Sequence, residues 1–115
     1  MLTIKEASER VCIPTSTIRY YDEEQLLPFV ERDENGYRRF NENDLFWLEM
    51  ISCMRETGMP IKTLRHVAHL YMQGPSTVEE RKNIFEDHQT NLIQQKEQID
   101  DALEKIHKKM EVLDS

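Results

Sequence analysis

The chain has 115 residues, about one domain's worth, with a net charge of −7 and 32% charged residues. A chain this short buries only a modest core, so a partner subunit would add stability. No apolar run approaches the roughly 18 residues of a membrane helix, Lys5 and Glu6 precede any signal-peptide core, and two cysteines without a CxxC pattern exclude a disulfide scaffold or a Cys-rich zinc site. A soluble, cytoplasmic chain with reduced thiols is expected.

Thr3-Ile4-Lys5-Glu6 is a capping-box pattern and predicts a short first helix, ending near Arg10, with Ile4, Ala7 and Val11 on one face. A tight connection through Val11-Cys12-Ile13 leads to a second helix from about Thr15 to Glu24, with Pro14 at its start. Two short helices this close suggest a helix-turn-helix. Ile18 and Tyr21, at i and i+3, are expected to face inward, leaving Arg19 and Tyr20 outside. Leu26 and Leu27 return to the core, and Cys12 is expected there too.

Asn35-Gly36 is a hairpin-turn signal. It predicts a wing with strands Phe29–Arg32 and Tyr37–Phe40, anchored by Val30 and Phe40, because a lone hairpin is marginal in water. Asn41-Glu42-Asn43-Asp44 then caps a third helix reaching about Thr57, with Leu45, Leu48 and Ile51 or Ser52 on one stripe and Trp47, Met50 and Met54 on another. Gly58 is a good residue to end it, and Pro60 opens a fourth helix carrying Ile61, Leu64, Val67, Ala68 and Tyr71. Gly74-Pro75 stops that helix.

Ser76 and Thr77, with Glu79 and Glu80, form two overlapping capping-box patterns. No Gly or Pro follows, and Val78, Phe85, Leu92, Ile99, Ile106 and Leu113 recur every seven residues. The second seam is polar at first (Arg81, His88, Gln95) and apolar later (Ala102, Leu103, Met110). A helix of about 36 residues, roughly 54 Å at 1.5 Å per residue, is expected to pair antiparallel with its copy in a homodimer. Packing along the third and fourth helices is the alternative. The division is therefore a domain carrying the helix-turn-helix and wing over residues 1–75 and a coiled-coil dimerisation helix over 76–115.

Net acidity opposes a simple nucleic-acid reading, because basic domains are the usual expectation. Residues 1–75 carry nine Lys/Arg against twelve Asp/Glu, and residues 76–115 carry six against ten. Binding must rest on local clusters drawn from Arg19, Arg38, Arg39, Lys62 and Arg65. A short helix and an adjacent ribbon, each with Arg and Tyr, supply what groove and phosphate contact needs. Arg19 is the leading base or groove contact, with an ion pair to Asp22 or Glu23 as its structural alternative. Thr15, Thr17 and Tyr20 are candidate phosphate or base contacts; capping by Thr15 and packing by Tyr20 are the bland readings. On the wing, Tyr37 and Arg38 are the phosphate candidates, and Arg39 is a partial alternative paired to an acidic neighbour. Lys62 lies at a helix N-terminus, which favours anions. His66 and His69 lack a third ligand in reach, so no metal or cofactor is expected, and no acid-base or nucleophilic constellation suggests an enzyme.

Thr17-Ile18-Arg19-Tyr20-Tyr21-Asp22, Leu26-Leu27-Pro28, Asn35-Gly36-Tyr37-Arg38-Arg39-Phe40, Asp44-Leu45 and Gly58-Met59-Pro60-Ile61 together closely resemble, in order, the signature of MerR-type transcription regulators. The resemblance implies a mainly α fold: a winged helix-turn-helix followed by a long antiparallel coiled-coil helix. It implies a dimer that binds promoter DNA between −35 and −10 elements set too far apart, and that bends and untwists it so both elements face RNA polymerase. Gln25 stands where the family usually has Gly, which predicts local strain if that position is left-handed. The stretch Ile51 to Met59, with Cys53, resembles a single-cysteine subgroup that senses aldehydes, nitrosative stress or other electrophiles. Cys53 is thus a candidate sensor, against a reading as a small core residue. With no segment after the long helix and no Cys in residues 76–115, a drug-binding domain and metal sensing are not expected. Two other functions remain: a constitutive or architectural DNA-binding protein, and a coiled-coil protein-interaction module.

Overall fold

The structure, a computed structural model, describes residues 1–115 and is 73% helical. It falls into two units, Met1–Arg81 and Lys82–Ser115.

In the first unit, α1 (Ile4–Val11) starts on the capping box: Glu6 N donates to Thr3 Oγ1 at 3.2 Å and Thr3 N to Glu6 Oε1 at 3.0 Å. It ends at Cys12, which is left-handed at φ 57° and exposed. Cys12 is therefore not the core residue its setting suggested. The left-handed cap turns its side chain outward, and Ile13 takes the buried place. Pro14 leads into α2 (Thr15–Glu23), which buries Ile18 and Tyr21. Burial pushes the Tyr21 phenol up from its ordinary pKa, and its hydrogen bond to Ser52 acts the other way. Gln25 follows at φ 63°, so it carries the left-handed backbone that a glycine would adopt at no steric cost. For a non-glycine residue that conformation costs roughly 1–2 kcal/mol.

The wing is shorter than the alternation of its residues suggested. β1 (Glu31–Arg32) pairs antiparallel with β2 (Arg38–Arg39), in register Glu31 to Arg39 and Arg32 to Arg38. Phe29 and Tyr37 lie outside the ladder. Asp33 N still donates to the Tyr37 carbonyl at 2.8 Å, but the return bond goes to the side chain: Asp33 Oδ1 accepts from Tyr37 N at 3.0 Å and from Asn35 N at 2.9 Å, a side-chain turn at the end of the ladder. Phe40 bonds instead to the N-terminus: Leu2 N donates to Phe40 O, and Phe40 N to Leu2 O, both at 2.8 Å.

A second capping box, Asn41 with Asp44, starts α3 (Glu42–Glu56). Burial raises the Asp44 carboxyl above its ordinary pKa, and the Asn41 N–H it accepts works against that. Gly58 at φ 96° turns the chain, Met59 N donates to Met54 O at 2.8 Å, and α4 (Ile61–Met72) follows Pro60. Ala7, Ile18, Leu26, Leu27, Val30, Phe40, Leu48, Ile51, Met59 and Val67 form the core of this unit. Each large side chain fully buried there contributes roughly 1.5–3 kcal/mol before entropy is counted. Phe29, Trp47 and Tyr71 stack with centroids 4.9–5.6 Å apart, and the Arg81 guanidinium lies 5.3 Å from the Tyr71 ring.

The long helix opens differently from the capping boxes read in its sequence. Pro75–Thr77 is a 3-10 turn after Gly74 at φ 93°, and α5 runs Val78–Asp114, 37 residues. Thr77 is buried, and its hydroxyl bonds to the carbonyls of Leu70 (2.6 Å) and Gly74 (2.9 Å) while accepting Arg81 Nε at 3.0 Å. The hydroxyl is occupied in tying the turn down and does not cap α5.

The second unit is the continuation of α5, about 50 Å long at 1.5 Å per residue. No α5 residue is buried in the single chain. Its polar face carries Glu104–Lys108 and His107–Glu111 pairs at i,i+4 spacing, exposed and worth a few tenths of a kcal/mol. No helix of the structure is long and apolar enough to cross a membrane.

Candidate nucleic-acid interface

The α2 helix and the wing face each other across an open cleft of about 410 Å³, lined by Arg19, Asp22, Arg32, Tyr37, Arg38 and Arg39 among others. Ile18 and Tyr21 anchor α2 from below, so the helical period turns Arg19 and Tyr20 outward. Arg19 is exposed and has no ion pair within the chain. Asp22, its i+3 neighbour, is already taken by arginines of the wing. Tyr20 is 44% exposed and Tyr37 69%. Thr15 and Thr17 are half-buried in the first turn of α2, where no side chain caps the helix.

The wing arginines are less free than Arg19. Arg38 Nη2 lies 2.8 Å from Asp22 Oδ1, its Nε donates to Asp22 Oδ2 at 3.2 Å, and its Nη1 donates to the Val30 carbonyl. Arg39 Nε donates to Asp33 Oδ2 at 2.9 Å. The Tyr37 N–H foremost, with the Arg39 guanidinium and the Asn35 N–H, holds the Asp33 carboxyl below its ordinary range. Arg32 donates to the Gly36 carbonyl at 2.7 Å. Asp22, read in the sequence only as an alternative partner of Arg19, pairs instead with Arg38 and Arg32, and Arg32 was not among the candidate site residues.

Lys62 is exposed in the first turn of α4, outside this cleft. Arg65, counted among the basic groups, instead caps α2: its Nε donates to Glu24 O at 3.0 Å and its Nη2 meets Glu24 Oε2 at 2.9 Å. A cation there favours the negative end of the helix dipole. His66 pairs loosely with Glu80 at 3.6 Å. Cys53 is exposed on α3, and the nearby Arg55 guanidinium is committed to the Met59 carbonyl at 2.8 Å.

Helix α2 with its free arginine, the preceding α1 and the wing beside them define a winged helix-turn-helix. The profile of the MerR HTH family of regulatory proteins matches residues 2–70, and the chain belongs to that family. Its members are DNA-binding transcription regulators, not enzymes. The chain is 42% identical over 90 residues to an uncharacterized HTH-type transcriptional regulator of Haemophilus influenzae, a match covering 78% of this chain and 67% of the relative. It is 37% identical over 93 residues to the HTH-type transcriptional regulator AdhR of Bacillus subtilis, covering 81% and 66%. The matched region thus spans about two thirds of these curated relatives. Among solved structures it resembles HiNmlR, a MerR family regulator lacking the sensor domain, bound to promoter DNA, at TM-score 0.81 and 38% identity over 94% of this chain and 86% of that one. It also resembles a MerR family transcriptional regulator from Listeria monocytogenes at TM-score 0.87 and 32% identity, over 100% and 87%.

Proposed function

We propose that the chain binds promoter spacer DNA as a homodimer through residues 1–75, with residues 76–115 as the dimerisation helix. Arg19 would read a base edge or groove from α2. Thr15, Thr17, Tyr20, Tyr37 and Lys62 would position the duplex through its phosphates, and Arg39 lies close enough to the same surface to contribute, whereas Arg38, read in the sequence as a phosphate contact, is engaged by Asp22 and the Val30 carbonyl. The observation that carries this reading is the unpaired Arg19 guanidinium, exposed at a cleft whose other cations are held in place by Asp22 and Asp33. The dimer would stabilise a bent, untwisted spacer, a deformation costing several kcal/mol that contacts must offset. RNA polymerase would then meet the −35 and −10 elements on one face, without touching this protein. The test is a gel-shift and bending assay on promoters whose spacers differ by one or two base pairs. A two-fold footprint within the spacer and a bend on the overlong spacer are expected; a footprint outside the spacer, or an undeformed duplex, contradicts the reading.

In this reading Cys53 is the trigger. It is exposed, so an electrophile reaches its sulfur without unfolding the domain, and it sits on α3, the helix that continues from the wing through the Asn41–Asp44 capping box. Only a thiolate reacts readily. Cys53→Ser is expected to leave DNA affinity within about twofold and to abolish the transcriptional response to an aldehyde or nitrosothiol. A response that survives the substitution leaves a regulator without a thiol sensor.

A further inference from the structure

The hairpin has little of its own to fix its angle to α2. Its strands are two residues each, and its apolar anchors, Val30 and Phe40, lie at its base. Every ion pair joining α2 to the hairpin runs through one carboxylate, Asp22. That carboxylate receives Arg38 in fork-to-fork geometry, at 2.8 Å to Oδ1 and 3.2 Å to Oδ2, with Arg32 at 3.8 Å on its edge. The remaining Nη1 of Arg38 donates to the Val30 carbonyl, in the segment that enters β1. One guanidinium thus ties three pieces of chain: the last turns of α2, the entry to the hairpin and β2. Both side chains are largely covered, 21% exposed for Arg38 and 25% for Asp22. A planar bidentate pair sets direction as well as distance, so this one sets the width of the cleft between Arg19 and Tyr37.

From this geometry we propose that Asp22 is a positioning residue for DNA recognition: through Arg38 it sets the spacing of α2 and wing, and it keeps the Arg38 charge out of the phosphate contacts. The proposal rests on the DNA-binding reading above. It assigns opposite consequences to two neighbouring arginines. Arg19 contacts the duplex and Arg38 holds the frame. Releasing Arg38 from Asp22 adds a mobile cation to the surface facing the duplex, which strengthens sequence-independent binding while the loosened cleft reads the specific site less well.

The experiment measures affinity for the specific promoter and for a random duplex, across a salt series, for the wild type, Asp22→Ala, Arg38→Ala and the double variant. Thermal unfolding of each confirms the folded fraction. The expected result for Asp22→Ala is a log–log salt slope steeper by about 0.9, one additional phosphate contact. The specific-to-random affinity ratio is expected to fall about tenfold, and by the same factor in Arg38→Ala and in the double variant, because the two residues act as one unit. The double variant is expected to return to the wild-type slope. A slope that becomes shallower by about 0.9 in Arg38→Ala identifies Arg38 as a phosphate contact and overturns the assignment alone. Lowered melting temperatures with unchanged slopes and ratios also overturn it, leaving the pair purely structural. Wild-type protein that shows neither salt-dependent nor specific binding removes the DNA-binding reading and the assignment with it.

Discussion

Arg19→Ala is expected to weaken binding to the specific promoter by roughly 5- to 150-fold, the effect of about 1–3 kcal/mol lost with one well-made base contact. Affinity for random DNA should change far less. The size follows from the arginine's setting. Its neighbours Ile18 and Tyr21 are only 1% and 5% exposed, so α2 cannot rotate to bring another side chain into its place. Its charge has no partner to leave unpaired in the free protein, so the truncation should cost little stability. Lys62→Ala makes the contrast, because a phosphate contact weakens specific and random binding alike and makes the salt slope shallower by about one. Gel shifts on both duplexes at several salt concentrations separate the two. An Arg19→Ala protein that binds the promoter as the wild type does would remove the central residue of the interface.

The backbone plan was legible because it is written in local signals. Thr3 with Glu6 and Asn41 with Asp44 start α1 and α3, and both capping boxes form as their spacing predicts. Gly58 and Pro60 separate α3 from α4 through chemistry that only those residues supply cheaply. Leu26, Leu27, Val30 and Phe40, read as core and anchor residues from their apolar type and place, are buried. What failed to show was decided between distant positions. Whether Arg38 faces phosphate or carboxylate depends on Asp22, sixteen residues away across the hairpin angle. Arg65 finds Glu24 at a separation of forty-one. Thr77 has a capping sequence, but the Leu70 carbonyl claims its hydroxyl once Gly74 and Pro75 have bent the chain. Cys12 reads as apolar by composition, and only the left-handed cap reveals that it points out. In each case a short-range pattern lost to a tertiary hydrogen bond or to a backbone conformation.

Ile99→Lys combined with Ile106→Asp is expected to give a monomer, with promoter affinity lower by about 10²- to 10⁴-fold as the second half-site contact loses its effective concentration. Both positions are more than half exposed in the single chain, at 59% and 53%, so the change removes nothing the protomer needs for its own fold. They lie in a run of exposed large apolar residues on α5, from Val78 and Ile93 through Leu103 and Met110 to Leu113. A run of exposed apolar residues that long is the mark of an interaction surface. The second seam is uneven along the helix. Arg81, His88 and Gln95 occupy it near the start of the helix, and Ala102, Leu103 and Met110 near the end. Sedimentation equilibrium and a promoter gel shift check both parts. A double variant that stays dimeric moves the interface off this seam. A monomeric variant that binds as tightly as the wild type would show that one protomer suffices.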